Sequence, residues 1–544
     1  MNDKIYPKLF SSLKGYNKSQ LVKDIIAGVI VAIIALPLSI ALALASGVKP
    51  EQGLYTAITA GFVIAFLGGS NVQISGPTAA FATIVAGIVA QNGMGGLVAA
   101  TFIAGIILIL MGVCGLGKLI KFIPQTITTG FTTGIALTLV IGQLKDFMGL
   151  TFDESPIETI DKLKEVISCI STFNVEAFLI GFLSLAILII SPKIIKKIPP
   201  SLIAVIICAA VVKIFKLDVN TIGSLYEISS ELPKFSIPSL NLETVRNIIP
   251  DAFTIAILAA IESLLSCVVS DGMIGTKHSP NTELVAQGAG NMVSAMFGGI
   301  PATGAIARTA ANVKNGGRTP VSGIVHAVVL LFVLVFFMPY ASLIPMPTIA
   351  AILFVVAYNM SEYKQFISLV KTSPKSDVFV LLVTFVLTVV FDLVVAIGVG
   401  IVLACVLFMA RMSEVAEVRS WKKVENSGEE KLRAIPKDTY VYELNGPMFF
   451  GAADKIADMK IVSEAKVIIV RMSKVPAIDT TALSKLELLV KKCNKKGIRL
   501  LFSHVNEQPM KAMKKSGLYT RIGKENFLPD INSALEAADS LVTK

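Results

Sequence analysis

Residues 298–320, GGIPATGAIARTAANVKNGGRTP, combine helix-breaking residues with a cation inside an otherwise apolar region. Pro301 and Gly304 oppose a continuous helix through this stretch, and Arg308 follows among Ala, Ile and Thr residues. A helix that begins at such a break directs its free N–H groups at a ligand, and a nearby cation adds attraction for negative charge. This combination of residues predicts an anion-binding site.

A second stretch, residues 75–80 with the sequence SGPTAA, breaks an earlier apolar region with a glycine and a proline. Two such breaks at corresponding places are typical of transporters built from internal repeats. For either break alone, the alternative is a simple kink, which helices in lipid tolerate. We interpret Pro77 and Pro301 as corresponding points in the two halves of one transporter.

Glu262 is an acidic residue with apolar neighbours on both sides, in the run ILAAIESLLSCVV. Burying an ionised carboxylate costs several kcal/mol unless the group is paired, so the protonated form is favoured there. Glu262 is therefore a candidate carrier of a coupling proton. The alternative is a structural carboxylate that pairs with a neighbouring helix.

The composition places most of the chain in lipid. Of its 544 residues, 54% are hydrophobic and only 16% are charged, whereas soluble domains carry about 25% charged residues. The net charge of +11 fits the Lys and Arg that membrane proteins collect on inner loops better than it fits nucleic acid binding. The six cysteines and three histidines are scattered, so we expect no disulfide framework and no metal site.

Apolar runs long enough to cross or half-cross a core of about 30 Å recur up to residue 410. We predict about fourteen spans, near 24–46, 53–69, 77–91, 97–115, 123–145, 174–191, 199–215, 248–271, 283–298, 303–313, 319–343, 346–360, 376–391 and 393–411. Basic residues collect on alternate short loops and before residue 24. The positive-inside rule then predicts a multi-pass protein of the cytoplasmic (inner) membrane with both termini in the cytoplasm.

The composition changes abruptly after residue 411. We divide the chain into a cytoplasmic amino-terminal segment (1–23), a transmembrane anion-transport domain (24–411), a charged linker (412–437) and a small α/β domain (438–544). In the last of these, residues 439–450, 466–472 and 498–503 have the pattern of strands, and residues 480–493 have helical spacing. Alternating strands and helices predict a small sheet covered by helices.

Three long segments carry a family resemblance. They read QGLYTAITAGFVIAFLGGSNVQISGPTAAF at 52–81, AAIESLLSCVVSDGMIGTKHSPNTELVAQGAGN at 259–291, and GGIPATGAIARTAANV at 298–313. Together with the carboxyl-terminal domain they resemble the SulP sulfate-permease family of anion transporters. The resemblance covers essentially the whole chain and implies two inverted seven-helix repeats joined to a STAS domain. Within the family, the chain looks most similar to the bacterial C4-dicarboxylic acid transporter subgroup.

The resemblance also implies where the two breaks act. In the family, the third and tenth helices begin near the bilayer midplane and face each other across the substrate. The predicted substrate-binding residues here are Gly76, Pro77, Thr78, Ala79, Ala80, Ala302, Thr303, Gly304, Ala305 and Arg308. Arg308 matches a basic position of many members, and the alternative is an arginine that reaches the inner interface.

Two further predictions rest on relatives. Some members bind sodium between an acidic residue at the position of Glu262 and a hydroxyl one turn later, which Ser266 supplies here. Sodium therefore stays open as the coupling ion, although we favour protons. In the STAS-like domain, Thr480 and Thr481 occupy a segment that is phosphorylated in anti-sigma antagonists, but we favour a helix cap by Asp479 or Thr480.

Our leading hypothesis is a secondary active transporter for sulfate or a C4-dicarboxylate, coupled to protons and working by alternating access. The alternatives are a sodium-coupled bicarbonate transporter, an anion exchanger and, in a different class, an anion channel or a STAS-linked sensor. The sequence has no nucleophile–base or metal constellation that suggests an enzyme. We expect no cofactor and no nucleic acid; the expected partners are a small anion, a proton or sodium ion, membrane lipid and a second copy in a homodimer.

Overall fold

The computed structural model describes residues 5–118, 123–154, 156, 158–195, 198–238, 242–391, 393–421, 433–462 and 464–543. Contacts within the chain divide it into two compact units, Met1–Ile401 and Val402–Lys544. Residues 422–432 of the predicted charged linker (412–437) lie outside the described residues.

The first unit is almost entirely helical. Its helices are α1 (Lys8–Ser12), α2 (Lys18–Ala45), α3 (Pro50–Leu67), α4 (Ala79–Val113), α5 (Gln125–Met148), α6 (Thr159–Ser168), α7 (Val175–Ile194), α8 (Pro200–Phe215), α9 (Ile222–Leu225), α10 (Leu242–Ile274), α11 (Pro280–Met296), α12 (Ile306–Lys314), α13 (Val321–Phe337), α14 (Met346–Met360), α15 (Tyr363–Thr372), α16 (Lys375–Val390) and α17 (Leu393–Val415), the last of which continues into the second unit. Two strands of two residues lie among them, β1 (Ser75–Gly76) and β2 (Thr303–Gly304). Among the described helices, seven are long and apolar enough to cross a membrane, namely α2, α4, α5, α7, α10, α13 and α17.

Helix α4 contains an internal break at Gly93, where φ is 65° and ψ is −179°. This conformation is open almost only to glycine. The sequence predicts two separate segments at 77–91 and 97–115, and the non-helical backbone at Gly93 divides α4 into two parts at that place. With the two parts counted separately, the described membrane segments number fourteen, in α2, α3, α4, α5, α7, α8, α10, α11, α12, α13, α14, α16 and α17.

The packing of the helices repeats with an offset of seven segments. Helix α11 packs on α4 as α3 packs on α13, and α10 packs on α4 as α2 packs on α12. Likewise, α16 packs on α5 as α7 packs on α14. In each case the two partners are exchanged between the halves of the chain. This exchange is the packing signature of two inverted seven-helix repeats.

The helices form two groups. One group contains α2, α3, α4 and α10 to α13, which pack mainly on one another. The other contains α5, α7, α8, α14 and α16, and Gly400 of α17 packs against Ile127 of α5 and Thr384 of α16. Both sequence breaks belong to the first group.

The second unit is a five-stranded sheet with helices. Its strands are β3 (Glu417–Trp421), β4 (Thr439–Asn445), β5 (Val467–Lys474), β6 (Arg499–Ser503) and β7 (Phe527–Leu528), and its helices are α18 (Asp454–Ala457), α19 (Thr480–Lys495), α20 (Glu507–Lys515), α21 (Leu518–Ile522) and α22 (Ile531–Val542). The order is β3-β4-β5-β6-β7, with β3 antiparallel to β4 and the other pairs parallel.

The predicted strands at 439–450, 466–472 and 498–503 are confirmed as β4, β5 and β6, and the predicted helix is α19. Strand β5 reads VIIV because both of its faces are buried: Ile468 and Val470 pack with the α19 side, and Val467 and Ile469 pack with the α22 side. Strand β3 was not predicted. Its five residues lie in the range assigned to the linker. The sequence EVRSW is charged and largely exposed, so it lacks the buried pattern by which a strand is recognised.

Candidate anion-binding site

The two sequence breaks lie side by side in the fold. Strands β1 and β2 form an antiparallel pair in which Ser75 lies opposite Gly304 and Gly76 lies opposite Thr303. Neighbouring strands are about 4.8 Å apart. Helix α4 begins just after β1, and helix α12 begins just after β2. The prediction that the two breaks meet is therefore confirmed.

Neither of the two helices is capped by a side chain at its amino end. Thr78 is the N-cap residue of α4 and Ala305 is that of α12, and both have extended backbones. The N–H groups of a first helical turn have no partner within the helix, and they carry the positive end of the helix dipole. Two such ends that start from one small sheet can hold a negatively charged group.

Glu262 of α10 lies beside the amino end of α4. The hydroxyl of Thr78 donates a hydrogen bond of 2.8 Å to Oε2 of Glu262. Both residues are only partly buried, whereas the neighbouring Ser263 is completely buried. The predicted carboxylate therefore lies at the predicted anion site.

Arg308 is buried, with 4% of its surface exposed. Its Nη2 donates a hydrogen bond to the carbonyl oxygen of Pro77, so the cation of the second half contacts the break of the first half. A Cβ atom on Gly76 would lie only 2.8 Å from Nη1. An added Cβ would therefore force the guanidinium to shift, and the φ of 159° at Gly76 also favours glycine. The burial of Arg308 excludes the alternative of an arginine that reaches the inner interface.

Thr303 is fully buried and its hydroxyl contacts α10. It lies 2.7 Å from the hydroxyl of Ser263 and donates to the carbonyl oxygen of Ala259 at 3.1 Å. The hydroxyl of Ser263 also accepts a hydrogen bond of 3.0 Å from the backbone N–H of Gly304. Helix α10 therefore fixes β2 through Ser263. The other predicted substrate-binding residues, Ala79, Ala80, Ala302 and Ala305, are buried around the pair.

The predicted partnership of Glu262 and Ser266 takes a different form. Ser266 is buried, and its hydroxyl donates to the hydroxyl of Thr309 at 3.3 Å. The same hydroxyl of Thr309 accepts a hydrogen bond of 3.0 Å from the backbone N–H of Ile74. Ser266 therefore supports the contact between α12 and the first break, while Thr78 is the hydroxyl that bonds Glu262.

Sequence reasoning missed the polar face of α11. Glu283, Gln287 and Asn291 follow one another at intervals of four residues and are all fully buried. Together they hydrogen-bond the backbone and side chains next to both breaks. The spacing itself was the available signal, because residues four apart lie on one face of a helix.

His326 of α13 is a second residue that sequence reasoning left without a role. It is fully buried, and neither ring nitrogen has a hydrogen-bond partner among the described residues. A Cβ atom on Gly61 would lie 4.0 Å from Nδ1 of His326 and 3.2 Å from the carbonyl oxygen of Ser75. The imidazole therefore lies next to β1.

In the second unit, Thr480 and Thr481 are exposed as the first two residues of α19. Asp479 caps this helix, because its Oδ1 accepts a hydrogen bond of 2.8 Å from the N–H of Ala482. Its Oδ2 accepts another of 2.8 Å from the N–H of Phe450. The predicted cap by Asp479 is confirmed.

Comparisons with known proteins identify the family of the chain. The profile of the Sulfate permease family matches residues 21–384, and that of the STAS domain matches residues 432–534. The chain is 42% identical to YvdB of Bacillus subtilis (strain 168), over 94% of this chain and 97% of YvdB. The name of YvdB describes it, provisionally, as a sulfate transporter. It is also similar to the bicarbonate transporter BicA of Picosynechococcus sp., with 30% identity over 95% of this chain and 94% of BicA.

Two solved structures share the fold. The transmembrane domain of a cyanobacterial bicarbonate transporter BicA matches with a TM-score of 0.64 and 31% identity, over 70% of this chain and 98% of that domain. The murine anion transporter Slc26a9 in its inward-facing state matches with a TM-score of 0.89 and 17% identity, over 98% of this chain and 94% of Slc26a9. The chain thus belongs to the sulfate permease family of anion transporters and carries a STAS domain at its carboxyl-terminal end.

Proposed function

We propose that this protein is a secondary active transporter that binds a small oxyanion between the amino ends of α4 and α12, with sulfate as the first candidate. The observation that carries this proposal is the β1–β2 pair with Arg308 bonded to the carbonyl oxygen of Pro77. It supports a site in which two helix dipoles and one guanidinium act on the same ligand. The identity to YvdB supports sulfate among the oxyanions.

Glu262 is the proposed carrier of the coupling proton. Its carboxylate contacts the hydroxyl of Thr78, the N-cap residue of one of the two helices that would bind the anion. A proton on Glu262 would offset negative charge beside the bound anion. The helix group that contains both breaks would then move relative to the other group, exposing the site to each side in turn.

The protein would work in the cytoplasmic membrane with both termini in the cytoplasm, as the basic short loops indicate. The STAS domain would regulate transport or support a homodimer from the cytoplasmic side. A C4-dicarboxylate is an alternative substrate, because free helix N–H groups bind carboxylates as well as sulfate.

A sodium-coupled bicarbonate transporter is the second candidate function. It is favoured by the similarity to BicA over nearly the whole chain. Glu262 and Ser266 lie one helical turn apart on α10, which is compatible with oxygen ligands for a cation.

Uptake into proteoliposomes distinguishes these functions. Labelled sulfate, bicarbonate and succinate would be offered with an imposed proton or sodium gradient. We expect saturable sulfate uptake that follows the proton gradient, and loss of that dependence in Glu262→Gln. Glu51→Gln is the matched control, because Glu51 is a buried carboxylate at the start of α3 outside the proposed site.

Bicarbonate uptake driven only by sodium would favour the second candidate. Large currents that do not saturate and do not depend on pH would indicate a channel and contradict the proposal. Unchanged pH dependence in Glu262→Gln would remove Glu262 from the coupling step.

A further inference from the structure

One face of α11 carries three buried polar residues that form a continuous ladder. Glu283, Gln287 and Asn291 are spaced four residues apart, and each has 0% of its surface exposed. They are also linked to one another. Gln287 donates from Nε2 to Oε1 of Glu283 at 2.9 Å, and Asn291 donates from Nδ2 to the carbonyl oxygen of Gln287 at 2.8 Å. The ladder therefore behaves as one hydrogen-bonded unit.

The amino-terminal part of the ladder, Glu283 and Gln287, holds the segment that leads into β1. Oε2 of Glu283 accepts a hydrogen bond of 2.9 Å from the backbone N–H of Gly69. Its Oε1 accepts another of 2.7 Å from the side-chain amide of Gln73. Gln287 reaches Ser75 of β1 itself, donating to its hydroxyl at 3.3 Å. The approach to the first break is thus fixed at three points.

The carboxyl-terminal member of the ladder, Asn291, holds the segment that leads into β2. Nδ2 of Asn291 donates to the carbonyl oxygen of Ala302 at 2.9 Å, and its Oδ1 accepts from the N–H of the same residue at 2.8 Å. Ala302 directly precedes Thr303. Helix α11 therefore forms hydrogen bonds with the residues that precede both breaks.

Gln73 connects the segment that leads into β1 with β2. While its amide donates to Glu283, its oxygen accepts a hydrogen bond of 3.1 Å from the thiol of Cys267 on α10. A Cβ atom on Gly304 would collide with this amide, so the side chain of Gln73 packs directly against β2. The position of Gln73 therefore couples Glu283 to the second break as well as to the first.

We propose that Glu283, Gln287 and Asn291 are positioning residues that set the separation of the two helix amino ends and thereby the affinity for the anion. This inference rests on the proposed function, because the affinity concerns the same site. The carboxylate of Glu283 suits the task because it accepts hydrogen bonds from the amides of Gln73 and Gln287 and from the backbone N–H of Gly69. A glutamine at position 283 would place its own N–H2 group against one of these donors, and the repulsion would displace the segment that leads into β1.

The test uses two isosteric variants of the full-length protein, Glu283→Gln and Asn291→Asp. Each variant keeps the shape of the side chain but removes hydrogen bonds, Glu283→Gln to the segment before β1 and Asn291→Asp to the segment before β2. We expect each variant to raise the KM for anion uptake by about tenfold, because a mismatched buried polar pair is costly, while the maximal rate per folded transporter stays within about twofold. Glu51→Gln is the matched control, because Glu51 is a buried carboxylate at the start of α3 and not part of the ladder, and we expect it to keep the KM of the wild type.

A swap variant provides the rescue. In Gln73→Glu with Glu283→Gln, an amide again faces a carboxylate between positions 73 and 283, and the thiol of Cys267 keeps an acceptor. The amide of Gln287, which donates to the same oxygen in the wild type, turns so that its oxygen faces position 283. We expect the KM to return to within about threefold of the wild-type value. A ladder that only stabilised the fold would lower the melting temperature and the maximal rate together and leave KM unchanged, which would overturn the inference.

Hydrogen exchange separates this inference from the proposed function. In Glu283→Gln we expect faster backbone exchange in residues 69–76, and in Asn291→Asp in residues 300–305, without any need for a transported substrate. Faster exchange in a protein that takes up no anion would contradict the proposed function and leave the positioning role in place. Unchanged exchange together with unchanged KM would contradict the positioning role.

Discussion

The hydroxyl of Thr78 donates a hydrogen bond of 2.8 Å to Oε2 of Glu262. Thr78 is the N-cap residue of α4, so the residue that begins one anion-directed helix also contacts the proposed proton carrier. A change in the charge of Glu262 alters this hydrogen bond directly. The contact would give the proposed anion binding and the proposed proton binding a common structural element.

Replacement of Thr78 tests this link. Thr78→Val keeps the shape of the side chain but removes the donor, whereas Thr78→Ser keeps the donor. A hydrogen bond of this kind contributes about 1 kcal/mol, which corresponds to about a fivefold effect. We expect proton-driven accumulation of the anion to fall about fivefold in Thr78→Val and to stay near the wild-type level in Thr78→Ser. Equal accumulation in the two variants would show that the hydroxyl plays no part.

Arg308 is expected to determine affinity for the anion. Arg308→Gln removes the positive charge and the charge-assisted hydrogen bond to Pro77, which is worth about 1.5–3 kcal/mol. The KM of uptake should rise at least about tenfold. Arg308→Lys keeps the charge without the planar fork and should give an intermediate KM. A KM that stays at the wild-type value in Arg308→Gln would place the anion elsewhere.

Gly76→Ala tests the close approach of the guanidinium to β1. The added Cβ would lie 2.8 Å from Nη1 of Arg308, and such overpacking costs about 1–3 kcal/mol. We expect uptake to fall about tenfold or more. Gly142→Ala is the control, because a Cβ at that position in α5 meets nothing within 4 Å. Similar uptake in both variants would mean that Arg308 does not need the space at Gly76.

The two breaks and the isolated carboxylate were predictable from the sequence for a local reason. Glycine, proline and a charged side chain in an apolar run are each costly unless the fold uses them. The long apolar runs likewise predicted the membrane segments, including the two parts of α4 on either side of Gly93.

The partners within the site were not predictable, because they come from packing between distant segments. Thr78 and Glu262 are 184 residues apart. Ser263 and Ser266 both follow Glu262 on α10, and sequence spacing favoured Ser266. The packing of α10 instead directs Ser263 at β2 and Ser266 at Thr309. Strand β3 was missed for a related reason, since a short, charged edge strand has no buried pattern of its own.

Capping of α19 by Asp479 can be measured in the full chain. The sequence contains one tryptophan, Trp421, which lies on β3 with the Arg471 guanidinium 5.3 Å from its ring centre. Its fluorescence therefore reports unfolding of the second unit. We expect Asp479→Ala to lower the midpoint of this transition by about 4 °C, because loss of a cap costs about 1 kcal/mol.

Thr480→Ala is the control for this cap, because the hydroxyl of Thr480 does not cap α19. Its transition midpoint should stay within about 2 °C of the wild type. The reverse order of the two variants would show that the capping hydrogen bond contributes little to stability.

Protection of a single introduced thiol reports directly whether an anion binds between the amino ends of α4 and α12. Thr78→Cys would be reacted with a small thiol reagent in proteoliposomes, with and without a saturating concentration of the anion that the wild-type protein takes up. Gly142→Cys on α5 is the matched control. We predict that the anion slows the labelling of Thr78→Cys at least about fivefold, as expected for a site occupied more than about four-fifths of the time, and leaves Gly142→Cys unchanged. Equal labelling rates of Thr78→Cys with and without the anion, in a variant that still transports, would contradict a binding site at the paired helix ends.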